Sequence, residues 1–296
     1  MPEFEVFAEA DRFRVAVAEL VDRDRVGATM LTAVLANQID RPGPAGPPLL
    51  VALRDLDGLS VAALRMPGFP LLTVIDPQVR DRPATLHQFA AALHETGAPI
   101  KAVHGRREVA LELAQAWSQC TGTTATPHLW LLYYRLAALI EPAAVPGAAR
   151  PLDPQDPEQV ALAARWFARF QVETGVSREP VAPDPELVAR MIDRGDRFVL
   201  WWAGEEPVAV AGHSPVRADG ICRIAPVYTP AQRRRERFGA AVTAAAVHSA
   251  WALGADEVTL FTDENYLPAN ELYRSLGFRP IAEFAEIDLT PAPAGH

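Results

Sequence analysis

Ile224-Ala225-Pro226-Val227-Tyr228-Thr229-Pro230 is an apolar run that leads into Ala231-Gln232-Arg233-Arg234-Arg235-Glu236-Arg237-Phe238-Gly239-Ala240-Ala241. The pattern predicts a strand, an arginine-rich turn and a long helix that opens on small residues. Such a turn points several backbone N–H groups at one spot. The positive end of the helix dipole faces the same spot, so the junction should attract a phosphate. Farther along comes Asn270-Glu271-Leu272-Tyr273-Arg274-Ser275-Leu276-Gly277-Phe278, a short helical pattern that carries a phenol and stops at a glycine.

These residues need a scaffold, and the surrounding periodicity supplies one. Val160, Leu162, Ala163, Trp166, Phe167 and Phe170 fall at helical spacing within 158–173. Asp184 can cap a further helix, with Pro185 at its first position and Leu187, Val188 and Met191 inward. Strands are expected at 198–202, 208–212, 221–229 and 258–262, and a strand over 281–289 can close the sheet. A helix over 238–253 stops at Gly254, and one over 268–276 stops at Gly277.

The first half repeats this order more faintly. A hairpin at 49–54 and 61–66 turns at Leu56-Asp57-Gly58. Strands follow at 71–75, 100–103 and 129–136, with helices at 86–96 and 107–117. Between the halves, Glu141 to Pro151 is rich in Pro and Ala and reads as a linker.

Composition narrows the function. The chain has 296 residues, enough for two domains. Its formal net charge of −9 argues against a nucleic-acid partner. No apolar run approaches the roughly 18–20 residues that span a bilayer. Met1-Pro2-Glu3-Phe4-Glu5 lacks the layout of a signal peptide, so a cytoplasmic protein is expected. Cys120 and Cys222 are too few for a disulfide framework or a zinc site, so no metal is expected. Walker, HExxH and Ser-His-Asp patterns are missing from the sequence.

The strand, the arginine turn and the Asn270–Phe278 segment together resemble the acyl-CoA-binding half of the GNAT N-acetyltransferase superfamily, over roughly residues 150–290. The layout is similar to a bacterial group of tandem acetyltransferases. Its Val-Tyr-Thr-Pro and Leu-Phe-Thr-Asp landmarks stand here as Val227–Pro230 and Leu260–Asp263. The resemblance implies an α/β (α+β) fold of two GNAT-like mixed-sheet units in tandem, with helices on both faces of each sheet. The expected division is a degenerate unit over 1–143, a linker over 144–157 and an acyl-CoA-binding unit over 158–296. After 71–75 the first unit runs Asp76-Pro77-Gln78-Val79-Arg80-Asp81-Arg82-Pro83, with no glycine and no small-residue helix start. The superfamily's pyrophosphate signature, Arg/Gln-x-x-Gly-x-Gly/Ala, stands here as Arg234-Arg235-Glu236-Arg237-Phe238-Gly239, so Arg237 replaces the middle glycine. Tyr266 stands where the family usually has Asn.

The resemblance implies transfer of an acyl group from acetyl-CoA, or another acyl-CoA, to a small-molecule or peptide amine. The pantetheine arm would lie against Val227, Tyr228 and Thr229, in a gap between this strand and Val258–Thr262. Arg234 opens the phosphate signature. The N–H groups of Arg235, Glu236, Arg237, Phe238, Gly239 and Ala240 would hold the pyrophosphate. A backbone N–H near Val227 would face the oxyanion. Tyr273 matches the superfamily's general acid for the leaving thiolate. Asn270 would bond to the pantetheine or to the helix end. His213 is a candidate base. Asp263 and Glu264 would attract a cationic amine or cap the following helix. Two rival readings stand beside this one: an acidic acyl carrier protein as donor, meeting the arginine cluster, and a non-catalytic ligand-binding module with a decayed site.

Overall fold

The computed structural model describes residues 2–37, 47–56 and 58–291; Asp57 of the expected hairpin turn lies outside them, as do residues 1, 38–46 and 292–296. The chain divides into two units, one holding the residues up to Leu131 and those from Ala282 onward, the other holding Leu132–Ile281.

The first unit contains β1 (Glu3–Val6), α1 (Ala10–Arg23), α2 (Thr29–Asn37), β2 (Leu49–Asp55), β3 (Gly58–Arg65), β4 (Leu71–Ile75), α3 (Arg82–Glu95), β5 (Ala102–Arg106), α4 (Arg107–Thr121) and the first part of β6 (Thr123–Leu136). The second contains β7 (Ala148–Pro151), α5 (Pro157–Glu173), α6 (Pro185–Asp193), β8 (Arg197–Ala203), β9 (Glu206–His213), β10 (Ile221–Tyr228), a 3-10 turn (Ala231–Arg233), α7 (Phe238–Ala252), β11 (Glu257–Asp263), α8 (Leu267–Ser275) and the start of β12 (Phe278–Pro291).

Strand order in the first unit is β1-β2-β3-β4-β5-β12, with α1 and α2 on one face and α3 and α4 on the other. In the second it is β6-β11-β10-β9-β8-β7, with α5 and α6 on one face and α7 and α8 on the other. The expected mixed-sheet fold class therefore holds. Each helix pair buries an apolar stripe. Val242 and Val247 of α7 are fully buried, and burying a valine side chain is worth about 1.5–3 kcal/mol.

Two boundary expectations are corrected. The segment 144–157 is not a free linker, because β7 pairs with β8 from Ala148↔Trp202 to Pro151↔Val199. Its Pro and Ala content suits an edge strand, where a missing N–H costs little. The last strand does not close the second sheet over its whole length. Phe284–Asp288 pair antiparallel with β5, so residues from 282 onward belong to the first unit and not to a domain over 158–296. Alternation along a strand shows which side chains face inward, but not which neighbour the backbone will meet. The N-terminal β1, α1 and α2 add to the first unit, and Phe13, Val17 and Leu20 of α1 repeat at helical spacing and are buried.

Candidate donor site in the second unit

The strands β10 and β11 run parallel but pair over only three rungs, Ile221↔Glu257, Cys222↔Val258 and Arg223↔Thr259. Both strands continue beyond these rungs, to Tyr228 and Asp263. Their backbones therefore part after Arg223 and Thr259, as the expected gap requires. On the other side, β10 stays paired with β9, with an irregularity between Ile224 and Val227. Ala225 in this stretch is exposed, although Ile224 and Pro226 beside it are buried. Pro226 has no N–H, so Ala225 and Val227 carry the donors of the irregular stretch.

The arginine turn opens the start of α7. Arg235 and Arg237 take φ of 66° and 67°, whereas Glu236 between them does not. An alternation of left-handed and right-handed residues curls successive N–H groups around one point, a concavity that binds anions. Among the described residues, no acceptor takes the N–H groups of Arg235, Glu236, Arg237, Phe238, Gly239 or Ala240. Helices α3, α5 and α6 differ, since the carboxylates of Asp81, Asp156 and Asp184 cap their first N–H groups. Arg237 is the cap residue of α7 and makes no side-chain cap. It thus adopts a left-handed backbone that glycine takes freely, at a cost of roughly 1–2 kcal/mol for an L-residue.

The side chains of the turn point in several directions. Phe238 is buried beneath the Arg233 guanidinium, which lies 5.4 Å from the ring centroid. Arg233 is 3.8 Å from Glu236. Arg235 and Arg237 are exposed. Gly239 lies where an added Cβ would meet Leu272 of α8 at 3.2 Å and the Thr229 hydroxyl at 3.5 Å. The start of α7 therefore abuts both the end of β10 and the helix that carries Tyr273.

Tyr273 is buried on α8, with ring centroids 6.4 Å from Tyr134 and 6.0 Å from Phe278. Among the described residues its hydroxyl has no hydrogen-bond partner. Burial pushes its pKa well above that of a free phenol, and nearby Tyr266 adds to the shift. The group is thus a proton donor at every ordinary pH.

The contacts of Asn270 and Asp263 match their helix-end and capping alternatives, and those of His213 weigh against its role as base. The amide of Asn270, 1% exposed, donates to the carbonyls of Asp263 (2.8 Å), Glu264 (3.2 Å) and Tyr266 (3.0 Å). Its Oδ1 accepts from the Tyr134 hydroxyl at 3.0 Å. Its amide N–H groups are thus turned to the helix end, and its oxygen takes the Tyr134 hydroxyl. Asp263 accepts the Asn265 N–H at 2.9 Å, the contact of a capping turn. His213 is fully buried, with Nδ1 2.9 Å from the Ser214 carbonyl and Nε2 2.9 Å from the Ser249 hydroxyl. The carbonyl can only accept, so Nδ1 carries the proton and Nε2 accepts from Ser249. No lone pair is left for an incoming amine.

Burial lowers the pKa of His213. Its stabilising effect is therefore fully present above about pH 6.5, the unfolded value, and is lost as pH falls through the lower folded value. Thermal melts should show wild type losing more stability between pH 7.5 and pH 5 than a His213→Gln variant. An equal loss in both proteins would remove His213 as the source.

Glu173, at the end of α5, was missed in the sequence. Its carboxylate accepts from the Tyr228 hydroxyl at 2.9 Å and from Arg234. Burial, and next this carboxylate, raise the pKa of Tyr228. The Tyr228 side chain packs with Trp166 and Met191 in the α5–α6 core, so any contact with a pantetheine arm comes from its backbone. Its distance from the turn in sequence gave Glu173 no motif to reveal it.

Among the described residues, the first unit has no comparable nest. Its parallel strands β4 and β5 also pair briefly, at Leu71↔Val103 and Leu72↔His104. At the start of α3, however, Asp81 accepts the Ala84 N–H at 3.1 Å. A carboxylate thus occupies the position that a phosphate would need.

The GNAT acetyltransferase family model matches residues 163–278, the stretch that holds the gap, the turn and Tyr273. The match lies wholly within the second unit. Solved structures extend the likeness to the rest of the chain. A tandem GNAT protein from the clavulanic acid biosynthesis pathway is 13% identical with a TM-score of 0.63, and all of both chains is covered. A GCN5-related N-acetyltransferase from Sphaerobacter thermophilus is 17% identical with a TM-score of 0.61, covering 98% of this chain and 96% of that one. One from Kribbella flavida is 24% identical with a TM-score of 0.53, covering 90% and 96%. At these identities the likeness is one of fold alone. No curated protein sequence matches. Among the described residues, no cluster of three or more His, Cys, Asp or Glu could hold a metal, and no helix is long and apolar enough to cross a membrane.

Proposed function

We propose that the second unit transfers an acyl group from an acyl-CoA, with acetyl-CoA as the reference donor, to a small-molecule or peptide amine. One observation carries the reading: the gap between β10 and β11 opens beside six backbone N–H groups that have no acceptor among the described residues. An extended thioester arm fits an open strand edge, and a pyrophosphate fits the nest. The N–H groups of Arg235 to Ala240 would hold the pyrophosphate, and the backbone of Val227 to Thr229 would hold the arm. The N–H of Val227 would face the oxyanion that develops as the amine attacks. Tyr273 would then give its proton to the leaving thiolate. The same burial that raises the phenol also disfavours a bare thiolate, so the two proton affinities stay close.

Calorimetric titration with acetyl-CoA and longer acyl-CoAs tests the reading. Saturable binding is expected, with about 2.7 kcal/mol of added stability at a hundredfold excess over Kd. Failure of every acyl-CoA to bind a folded sample would overturn it, and would favour a carrier-bound donor or a decayed site.

A further inference from the structure

We infer that Glu173 is a positioning residue for the donor site, holding the phosphate-binding turn in shape through Arg234 and Tyr228. The inference rests on the acyl-CoA reading above. Tyr228 is the last residue of β10, and Arg234 immediately precedes the two left-handed residues of the nest. Glu173 joins them, with Oε1 accepting from Tyr228 and Oε2 from Arg234. The same guanidinium donates from Nε to the Thr229 carbonyl at 3.0 Å and lies 5.8 Å from the Tyr228 ring centroid. The Arg234 side chain therefore points back along the turn and closes it as a staple. The N–H groups that would meet phosphate belong to the residues after it.

A strained backbone persists only where its surroundings over-determine it. Arg235 and Arg237 are exposed and make no such anchoring contact, so the anchor must come from residues beside them. Glu173 supplies it from a different helix. Arg234 and Glu173 side chains are 39% and 42% exposed. An ion pair so open to water adds little to global stability. Its loss should leave the fold standing and disturb the shape of the turn.

The test is a double-mutant cycle read by calorimetric Kd for acetyl-CoA, with thermal melts as the fold control. Glu173→Gln should weaken acetyl-CoA binding about tenfold, with little change in Tm. Arg234→Gln should do the same from the other end of the pair. The double variant should bind no more weakly than either single one, because both changes break one link. Glu173→Asp, which keeps the charge, should recover part of the affinity. Unchanged binding in Glu173→Gln would overturn the inference while leaving the acyl-CoA reading intact. Losses that multiply in the double variant would overturn the route through Arg234. Wild type that binds no acyl-CoA would overturn both. If Glu173→Gln does not fold, Arg234→Gln alone decides, and unchanged binding there is equally fatal.

Discussion

Tyr273→Phe should lower kcat by about a hundredfold or more and leave the Kd for acetyl-CoA within about twofold. The substitution removes one hydroxyl and keeps the ring that packs against Tyr134 and Phe278. That hydroxyl has no partner among the described residues, so its removal orphans no neighbour. The usual penalty for deleting half of a buried hydrogen bond is therefore missing, and stability should change little. The proton supply to the thiolate goes with it. Steady-state rates at saturating donor, set beside calorimetric affinities, separate the two effects. An unaltered kcat would remove Tyr273 as the acid. The pH profile carries a second signature. Burial raises this phenol above its usual value of about 10, so wild-type kcat should show no falling limb from it below that pH.

Gly277→Ala should destabilise the second unit by about 3 kcal/mol or more. Gly277 ends α8 with φ of 93°, and an added Cβ would lie 1.9 Å from the Ala138 carbonyl oxygen. That carbonyl is backbone and cannot swing aside like a side chain. The neighbouring backbone is fixed as well, since Ala137 and Ile140 donate to the carbonyls of Gly277 and Leu276. The expected fall in Tm is roughly 6–12 °C, measured by scanning calorimetry. Gly254→Ala is the matched control. It ends α7 with φ of 87°, but an added Cβ there meets nothing within 4 Å. Only the left-handed penalty of about 1–2 kcal/mol applies to it. Equal losses in the two variants would show that the Ala138 carbonyl yields freely.

Local chemistry accounts for what was legible in the sequence. Asp184 followed by Pro185 caps α6 as expected, with the Asp184 carboxylate 2.9 Å from the Leu187 N–H. Gly254 and Gly277 follow the ends of α7 and α8 with positive φ. The arginine turn before α7 was legible by composition, and Arg237 takes a left-handed backbone there. His213 illustrates the limit. A histidine at a strand end can face a cleft or a helix, and its neighbours in sequence do not distinguish these. Ser249, 36 positions away, occupies its Nε2. Asn270 is similar, because its Oδ1 is taken by Tyr134, 136 positions away.

The sequence by itself determined helices α5 to α8, strands β8 to β11 and the place of the arginine turn. These follow from periodicity, capping and turn residues, all of which act within a few positions along the chain. Tertiary structure alone decided that β10 and β11 part after three rungs, that residues from 282 belong with the first unit, and that Glu173 reaches the turn. It also set the buried hydrogen-bond partners of His213 and Asn270. Strand pairing and buried hydrogen bonds join residues far apart in sequence, and each is settled by which backbone or side chain arrives at the same place.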